Sequence, residues 1–479
     1  MIKPDHVFDR DFEWRHLAAF ATRSANRPQL GVVSGRRRMG KTFLLEGLAR
    51  ATGGFYFSAT EATETESLSL FADALSGYLD SPVPLRFESW DEAVTLLFKV
   101  APEHPGPIVL DEFPYLSKVS PALPSILQRE IDRGVSQGTP IKLLLCGSPM
   151  SVMGGLLAGT APLRGRANLE LVVRPFDYRM AARFWNVDDP ALAVRLHSVV
   201  GGTPAYRRFV NDDSPNGLDD FDDWVLRTVL DPGTPLFREA RYLLDEETEA
   251  RDPGLFHSVL SAVAHGRASR GGIADYIGRK STDISHPLTV LEDCGLLRRD
   301  PDLFHAGRSH YRVAEPLITF YQVVMRPQWG LLESGRASLV WNAAKARFAS
   351  QVAGPHFEDL CRRFATTDEA AELFGDLPAE VGSGVLTDQA NRNKMELDVV
   401  VLAQPDPGRP RRVLALGEAK WGKTMGPADA ARLSRARELL AARGYDTADT
   451  RLLCFSATGF TRDFSSASAL ALSLPDLYA

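Results

Sequence analysis

The stretch Gly35-Arg36-Arg37-Arg38-Met39-Gly40-Lys41-Thr42 decides the fold of the N-terminal third of this chain. It fits G-x-x-x-x-G-K-[ST], the pattern of a phosphate-cradling loop. The apolar run Gln29-Leu30-Gly31-Val32-Val33-Ser34 before it reads as a short buried strand. Phe43-Leu44-Leu45-Glu46-Gly47-Leu48-Ala49 after it reads as the start of a helix. Phosphate needs this order for a physical reason. Glycines let successive backbone N–H groups point inward, and the helix N-terminus adds a partial positive charge. In that arrangement Lys41 reaches the β- and γ-phosphates and the Thr42 hydroxyl ligates Mg²⁺.

A second motif completes the first. In Gly106-Pro107-Ile108-Val109-Leu110-Asp111-Glu112-Phe113 an apolar strand runs into two adjacent carboxylates. About 70 residues past a phosphate loop, such a pair reads as the metal and water half of a nucleotide site. Asp111 is expected to hold Mg²⁺ and Glu112 to polarise the attacking water as general base. Kinases of small molecules usually lack a base at that place, so Glu112 favours ATP hydrolysis. The strand Pro140–Ser148 ends at Ser148, where a sensor of the γ-phosphate would sit. In Leu163-Arg164-Gly165-Arg166 either arginine could stabilise transition-state charge, in its own subunit or in a neighbouring copy, and Arg166 is taken as the candidate. Gly54–Ser58 and Leu169–Phe176 supply two further strands, and Ser67–Leu79 and Trp90–Val100 two helices. Strands alternating with helices predict an α/β fold with a mainly parallel sheet covered on both faces.

Composition bounds the alternatives. At about 150 residues per domain, 479 residues amount to about three. The net charge of −6 excludes a basic nucleic-acid coat, so any nucleic-acid surface is local. Four cysteines lie far apart, and Cys146 and Cys454 sit in apolar, strand-like runs. That pattern predicts reduced thiols and a cytoplasmic protein. Met1–His16 is polar and acidic, unlike a signal peptide, and no apolar run reaches the roughly 20 residues of a bilayer span.

Phe8-x-Arg10-x-x-Glu13, Gly35–Thr42, Asp111-Glu112, Cys146-Gly147-Ser148, Leu163–Arg166 and Gly202-Thr203-Pro204 together resemble the archaeal-type P-loop ATPases, relatives of AAA+ and STAND proteins. The resemblance implies a P-loop ATPase domain over residues 1–215 with ATP and Mg²⁺ as cofactors.

Asp212–Asp223 is acidic and punctuated by Gly and Pro, which predicts a boundary, and 236–250 predicts a charged helix. Leu255–Val263, Gly272–Gly278 and Ile284–Cys294 read as three helices. Leu296–Arg299 and His310–Val313 read as two strands. Three helices and a two-stranded wing make a winged helix-turn-helix, expected over residues 216–335. Arg279, Lys280, Arg298, Arg299, Arg308 and Arg312 could meet phosphates there, although Asp283, Glu292 and Asp293 on the third helix would repel DNA.

Residues 336–479 form the last expected part. Asp398, in the strand Lys394–Leu402, and Glu418, in Arg412–Lys420, stand at equal distances from Gly408. A symmetric hairpin makes them face each other, and Lys420 projects on the face of Glu418. Two carboxylates and a lysine suit metal-assisted phosphodiester hydrolysis, with Asp398 and Glu418 on Mg²⁺ and Lys420 orienting water or stabilising the phosphate. Glu358, in the helix Phe357–Phe364, could add a contact. The D…E-x-K pattern resembles the restriction-endonuclease-like PD-(D/E)xK fold, with Leu397 where that motif's proline would stand. The resemblances imply an ATPase coupled to a DNA-binding, Mg²⁺-dependent nuclease, with DNA ahead of RNA and no membrane partner. The alternative is an ATP-driven signalling or scaffold switch whose end domain is inert.

Overall fold

β1 (Gln29–Ser34) is buried from Gln29 to Val33 and lies between two parallel neighbours. The computed structural model describes residues 1–479 apart from 25, 105, 149 and 249–251, and apart from the side chains of 150, 151 and 246–248. β2 (Phe55–Ser58), β3 (Ile108–Asp111), β4 (Lys142–Cys146) and β5 (Ala167–Val172) complete a five-stranded sheet of order β2-β3-β4-β1-β5. Every pairing in it is parallel. Both faces are covered, which is why the inner strands read as continuous apolar runs.

The alternation of side chains divides the apolar residues between the faces. Val33, Val109, Leu144, Cys146 and Leu171 face a layer that includes Trp14, Leu17, Phe20, Leu44, Leu45 and Leu48. That layer belongs to α1 (Asp11–Thr22) and α2 (Lys41–Thr52). On the other face Leu30, Val32, Phe55, Phe57, Leu110, Leu143 and Leu145 meet α3 (Glu64–Tyr78), α4 (Trp90–Val100), α5 (Phe113–Val119) and α6 (Leu123–Gln137). Each fully buried Leu, Val or Phe there contributes about 1.5–3 kcal/mol. The helix starts are written locally. The Thr63 hydroxyl accepts from the Glu66 N–H at 3.3 Å, and Ser89 from the Glu92 N–H at 3.4 Å.

The expected strand Leu169–Phe176 ends earlier, at Val172. One further bond, from the Val173 N–H to the Ser34 carbonyl at 2.8 Å, extends it. Pro175 has no N–H to continue the ladder.

The chain divides into two compact units. One holds Met1–Pro175 with Thr203–Ala205 and Glu246–Glu249; the other holds Phe176–Gly202, Tyr206–Asp245 and Ala250–Ala479. Residues 176–202, expected within the segment 1–215, therefore belong to the second unit, which also contains both later segments. The reason is packing: α7 (Pro190–Val200) shares an apolar core with helices as far along the chain as Phe348. The acidic stretch 212–223, expected as a boundary, is folded. Phe221 and Trp224 are fully buried, the Trp224 indole donates to the Asp213 carbonyl at 2.9 Å, and Arg227 bridges Asp213 and Asp220. The expected helix 236–250 is Pro235–Thr248, and its last two positions lie outside the described residues.

In the second unit α8 (Pro253–Ala264), α9 (Arg270–Ile277) and α10 (Ser285–Asp293) precede an antiparallel ribbon of β6 (Leu297–Pro301) and β7 (Ser309–Val313). Two of its arginines are used internally. Arg298 is bound by Asp300 and Asp359, and Arg312 pairs with Asp300 at 3.0 Å, so neither stands free for a phosphate. A second five-stranded sheet follows: β8 (Glu380–Asp388), β9 (Asn393–Leu402), β10 (Val413–Lys420), β11 (Arg451–Ser456) and β12 (Leu470–Ser473), in the order β12-β11-β10-β9-β8. β8, β9 and β10 are antiparallel, and β10, β11 and β12 parallel. All four cysteines are free thiols and buried. No helix among the described residues is long and apolar enough to cross a membrane.

Candidate functional site

The loop 35–42 links the end of β1 to α2, and its shape is set by two glycines. Gly35 has φ +143°, and a Cβ there would stand 2.4 Å from the Val173 carbonyl oxygen. Gly40, at φ +85°, caps α2 and has open space where a Cβ would be. Arg38 is also left-handed, at φ 71°. Such alternation turns successive N–H groups toward one concavity. Met39 is buried and anchors the loop in the apolar layer beneath. Arg10 clasps it from outside, donating to the Met39 carbonyl at 3.1 Å, to the Arg174 carbonyl at 2.7 Å and to Glu13 at 3.0 Å.

Lys41 is only 5% exposed. Its ammonium donates to the carbonyls of Gly35 at 2.7 Å and Arg36 at 2.9 Å, and to the Ser148 hydroxyl at 3.3 Å. Thr42, next in the chain, is exposed.

Asp111 closes β3 and is fully buried. Its Oδ1 accepts from the Glu112 N–H at 2.9 Å and its Oδ2 from the Tyr56 hydroxyl at 2.8 Å. Glu112 is left-handed, φ 51° and ψ 40°, at the N-terminus of α5. For a side chain with a Cβ this costs about 1 kcal/mol, the kind of strain that gathers at working sites. The Cys146 thiol, at the end of β4, ties these groups together. Burial pushes its pKa well up, Asp111 adds to the shift, Lys41 opposes it, and Glu112 adds a little more. Leu110 pairs with Leu145 and Val33 with Cys146, so the ends of β3, β4 and β1 that carry Asp111, Cys146 and the loop lie side by side. Arg37 donates to the Tyr115 hydroxyl at 3.0 Å, joining the loop to α5. The donor chemistry fits a nucleoside triphosphate with a hard divalent cation: inward N–H groups, an ammonium held by oxygens, a hydroxyl and a carboxylate.

Lys41, Ser148, Asp111 and Glu112 are thus brought together. Arg166 is not. Its guanidinium is taken by Asp132, with Nε and NH2 each at 2.7 Å, and by the carbonyls of Pro162 and Arg164. A bidentate carboxylate outcompetes a distant phosphate for the same fork. Tyr56 is a residue at the site that motif spacing does not reveal, and Arg10, marked by its motif, is found clasping the loop. Tyr56 carries a faint signal, as the polar member of an apolar strand, but strand order is needed to set it beside Asp111.

The second unit has its own carboxylate cluster. Gly417 pairs with Val399, so Glu418 follows opposite Asp398, as hairpin symmetry predicts. The Asp398 carboxylate accepts from the Ala419 N–H at 2.9 Å. Glu358, in α8's distant successor (Gly354–Phe364, here α12, after the short α11 at Pro316–Phe320), is pushed up to about 7 by burial and then by Asp398. Burial likewise raises Asp398 and Glu418. Glu418 is 4% exposed and clamped by two cations, Lys420 and Arg432 of α13 (Pro427–Ala442). Among the described residues no group of three or more His, Cys, Asp or Glu is placed to hold a metal ion. The expected Mg²⁺ ligands are therefore neighbours, with Glu418 held by cations. A cavity of about 260 Å³ lies alongside, lined in part by Arg312, His356, Glu358, Asp359 and Glu396.

No protein-family model matches the chain. An uncharacterised protein of Methanocaldococcus jannaschii, MJECL04, is 26% identical over 337 residues, 70% of this chain and 72% of that one. A solved structure, the Walker-type ATPase paby2304 of Pyrococcus abyssi, superposes with TM-score 0.51 at 19% identity, over 67% of this chain and 97% of that one. The ORC2 protein of Aeropyrum pernix gives TM-score 0.42 at 15% identity, over 72% and 97%. The likeness to the Pyrococcus protein is one of fold: an α/β chain with a parallel five-stranded sheet, consistent with a P-loop nucleoside triphosphatase.

Proposed function

We propose that the first unit binds ATP with Mg²⁺ and hydrolyses it. The observation that carries this reading is the Lys41 ammonium, buried in loop 35–42 on oxygens of Gly35, Arg36 and Ser148, with Asp111 and Glu112 at the end of the strand that pairs with β4. The inward N–H groups of the loop would bind the β-phosphate. Lys41 would exchange loop carbonyls for β- and γ-phosphate oxygens, at little reorganisation cost because it is already placed. Thr42 and Asp111 would hold the cation, which when bound neutralises charge on the bridging phosphate oxygens. Glu112 would orient the attacking water and accept its proton. Ser148, hydrogen-bonded to Lys41, is suited to sense the γ-phosphate.

A fluorescent ATP analogue titrated into the full chain tests this. Lys41→Ala should abolish binding. Glu112→Gln should bind as wild type and lose turnover; unchanged hydrolysis in that variant would remove Glu112 as the base.

A second reading concerns the end of the chain. The facing of Asp398 and Glu418, with Lys420 beside them, supports a Mg²⁺-dependent nuclease acting on DNA under control of the ATPase. The Arg432 clamp on Glu418 supports the competing proposal, a nucleotide-driven switch with an inert end domain. Cleavage of DNA and RNA with Mg²⁺ or Mn²⁺, with and without ATP, separates them. Nicking lost in Asp398→Ala supports the nuclease, and equal activity in both proteins removes it. DNA affinity that falls steeply with salt would support phosphate contacts by the second unit.

A further inference from the structure

Asp111 is fully buried, so the orientation of its carboxylate depends on what the protein donates to it. The last torsion of an aspartate is broad and roughly two-fold, so the side chain alone does not set the plane of its oxygens. Two hydrogen bonds do, with the Cys146 thiol as a weaker donor beside them. One comes from the adjoining Glu112 N–H and is bound to the turn. The other crosses from the neighbouring strand: the Tyr56 hydroxyl donates to Oδ2 at 2.8 Å. Tyr56 pairs in register with Val109, two residues before Asp111, so its ring lies on the same sheet face as that carboxylate.

We propose that Tyr56 is a positioning residue for the divalent cation, holding Asp111 in the orientation that receives the metal beside the β- and γ-phosphates. This rests on the nucleotide reading above and goes beyond it, because it assigns cation affinity to a residue outside the loop and outside the acidic pair. Partners that orient a metal's ligands typically carry 10–100-fold of metal affinity.

The experiment compares the full-length wild type with Tyr56→Phe, which keeps the ring and removes only the donor. A fluorescent ATP analogue is titrated in EDTA and at graded Mg²⁺. The expected result is equal affinity in EDTA and a Mg²⁺ requirement raised about tenfold or more in the variant. Tyr56→His, which restores a donor, should recover part of the shift; should Tyr56→Phe not fold, the same comparison is read from Tyr56→Leu, which also lacks the donor. An unchanged Mg²⁺ midpoint would overturn the inference and leave the nucleotide reading standing. An equal loss in EDTA and in Mg²⁺ would also overturn it, since Tyr56 would then support the fold and not the cation. Failure of the wild type to bind in either buffer would overturn the nucleotide reading itself and this inference with it.

Discussion

Glu112 shows how single residues carry tension between stability and use. Its left-handed backbone is one that glycine adopts freely and glutamate does not. Glu112→Gly should therefore raise stability by about 1 kcal/mol in urea unfolding while abolishing hydrolysis. A variant that loses stability would mean the carboxylate contributes more to the fold than the backbone strain costs. Gly35 is the opposite case. A Cβ would meet the Val173 carbonyl at 2.4 Å, so Gly35→Ala must move β5's continuation or the loop. A loss of at least about 1–3 kcal/mol, with weaker nucleotide binding, is expected from the same measurements. The glycines, Lys41 and the acidic pair were all legible in the sequence, because their chemistry is tied to fixed spacing. Tyr56 was not legible as a site residue, because its partner Asp111 lies on another strand; Arg10 was marked by its motif, but not its reach to the Met39 and Arg174 carbonyls.

Among elements, α12 shows what spacing leaves unsaid. Its residues 357–364 read as a helix, as found, with Glu358 expected to add a metal or water contact. The use of Asp359 could not be read. Burial opposes its ionisation, yet Arg298, Arg363 and Arg362 hold its carboxyl well below the ordinary range. Asp359→Asn would leave three arginines short of their shared counter-charge, with Arg298 drawn from the ribbon. A loss of about 3 kcal/mol is expected, seen as a lower urea midpoint with an unchanged slope. The hairpin of β9 and β10 was readable because its symmetry about Gly408 follows from strand period alone. β8 was not, although its partner β9 was, since Gly382-Ser383-Gly384 interrupts the apolar alternation that marks a strand.

At the scale of the molecule, buried histidines set the acid limit. The His197 and His356 rings of the second unit share a 2.7 Å hydrogen bond. Burial lowers His197 well below its ordinary value and His356 to about 4, and burial likewise lowers His257 to about 4. The unfolded chain therefore binds more protons than the folded one between about pH 4 and 6.5. The stability they contribute is present above pH 6.5 and is lost as the pH falls toward 4. Glu358, raised to about 7, opposes them over part of that range, so the histidines' share is read as a difference: the fall in urea midpoint from pH 7 to 5 should be smaller in His356→Gln than in wild type. The sequence by itself determined the glycine-bounded loop 35–42 between strand and helix, the carboxylates that end β3, the parallel α/β sheet and the facing of Asp398 with Glu418, because periodicity and motif spacing act over short stretches. Only the tertiary structure decided that Tyr56 reaches Asp111, that Asp132 takes Arg166, that Arg432 clamps Glu418 and that residues 176–202 join the second unit. Each of those rests on strand order or side-chain competition across distant segments, and no local pattern encodes which of several charged partners wins.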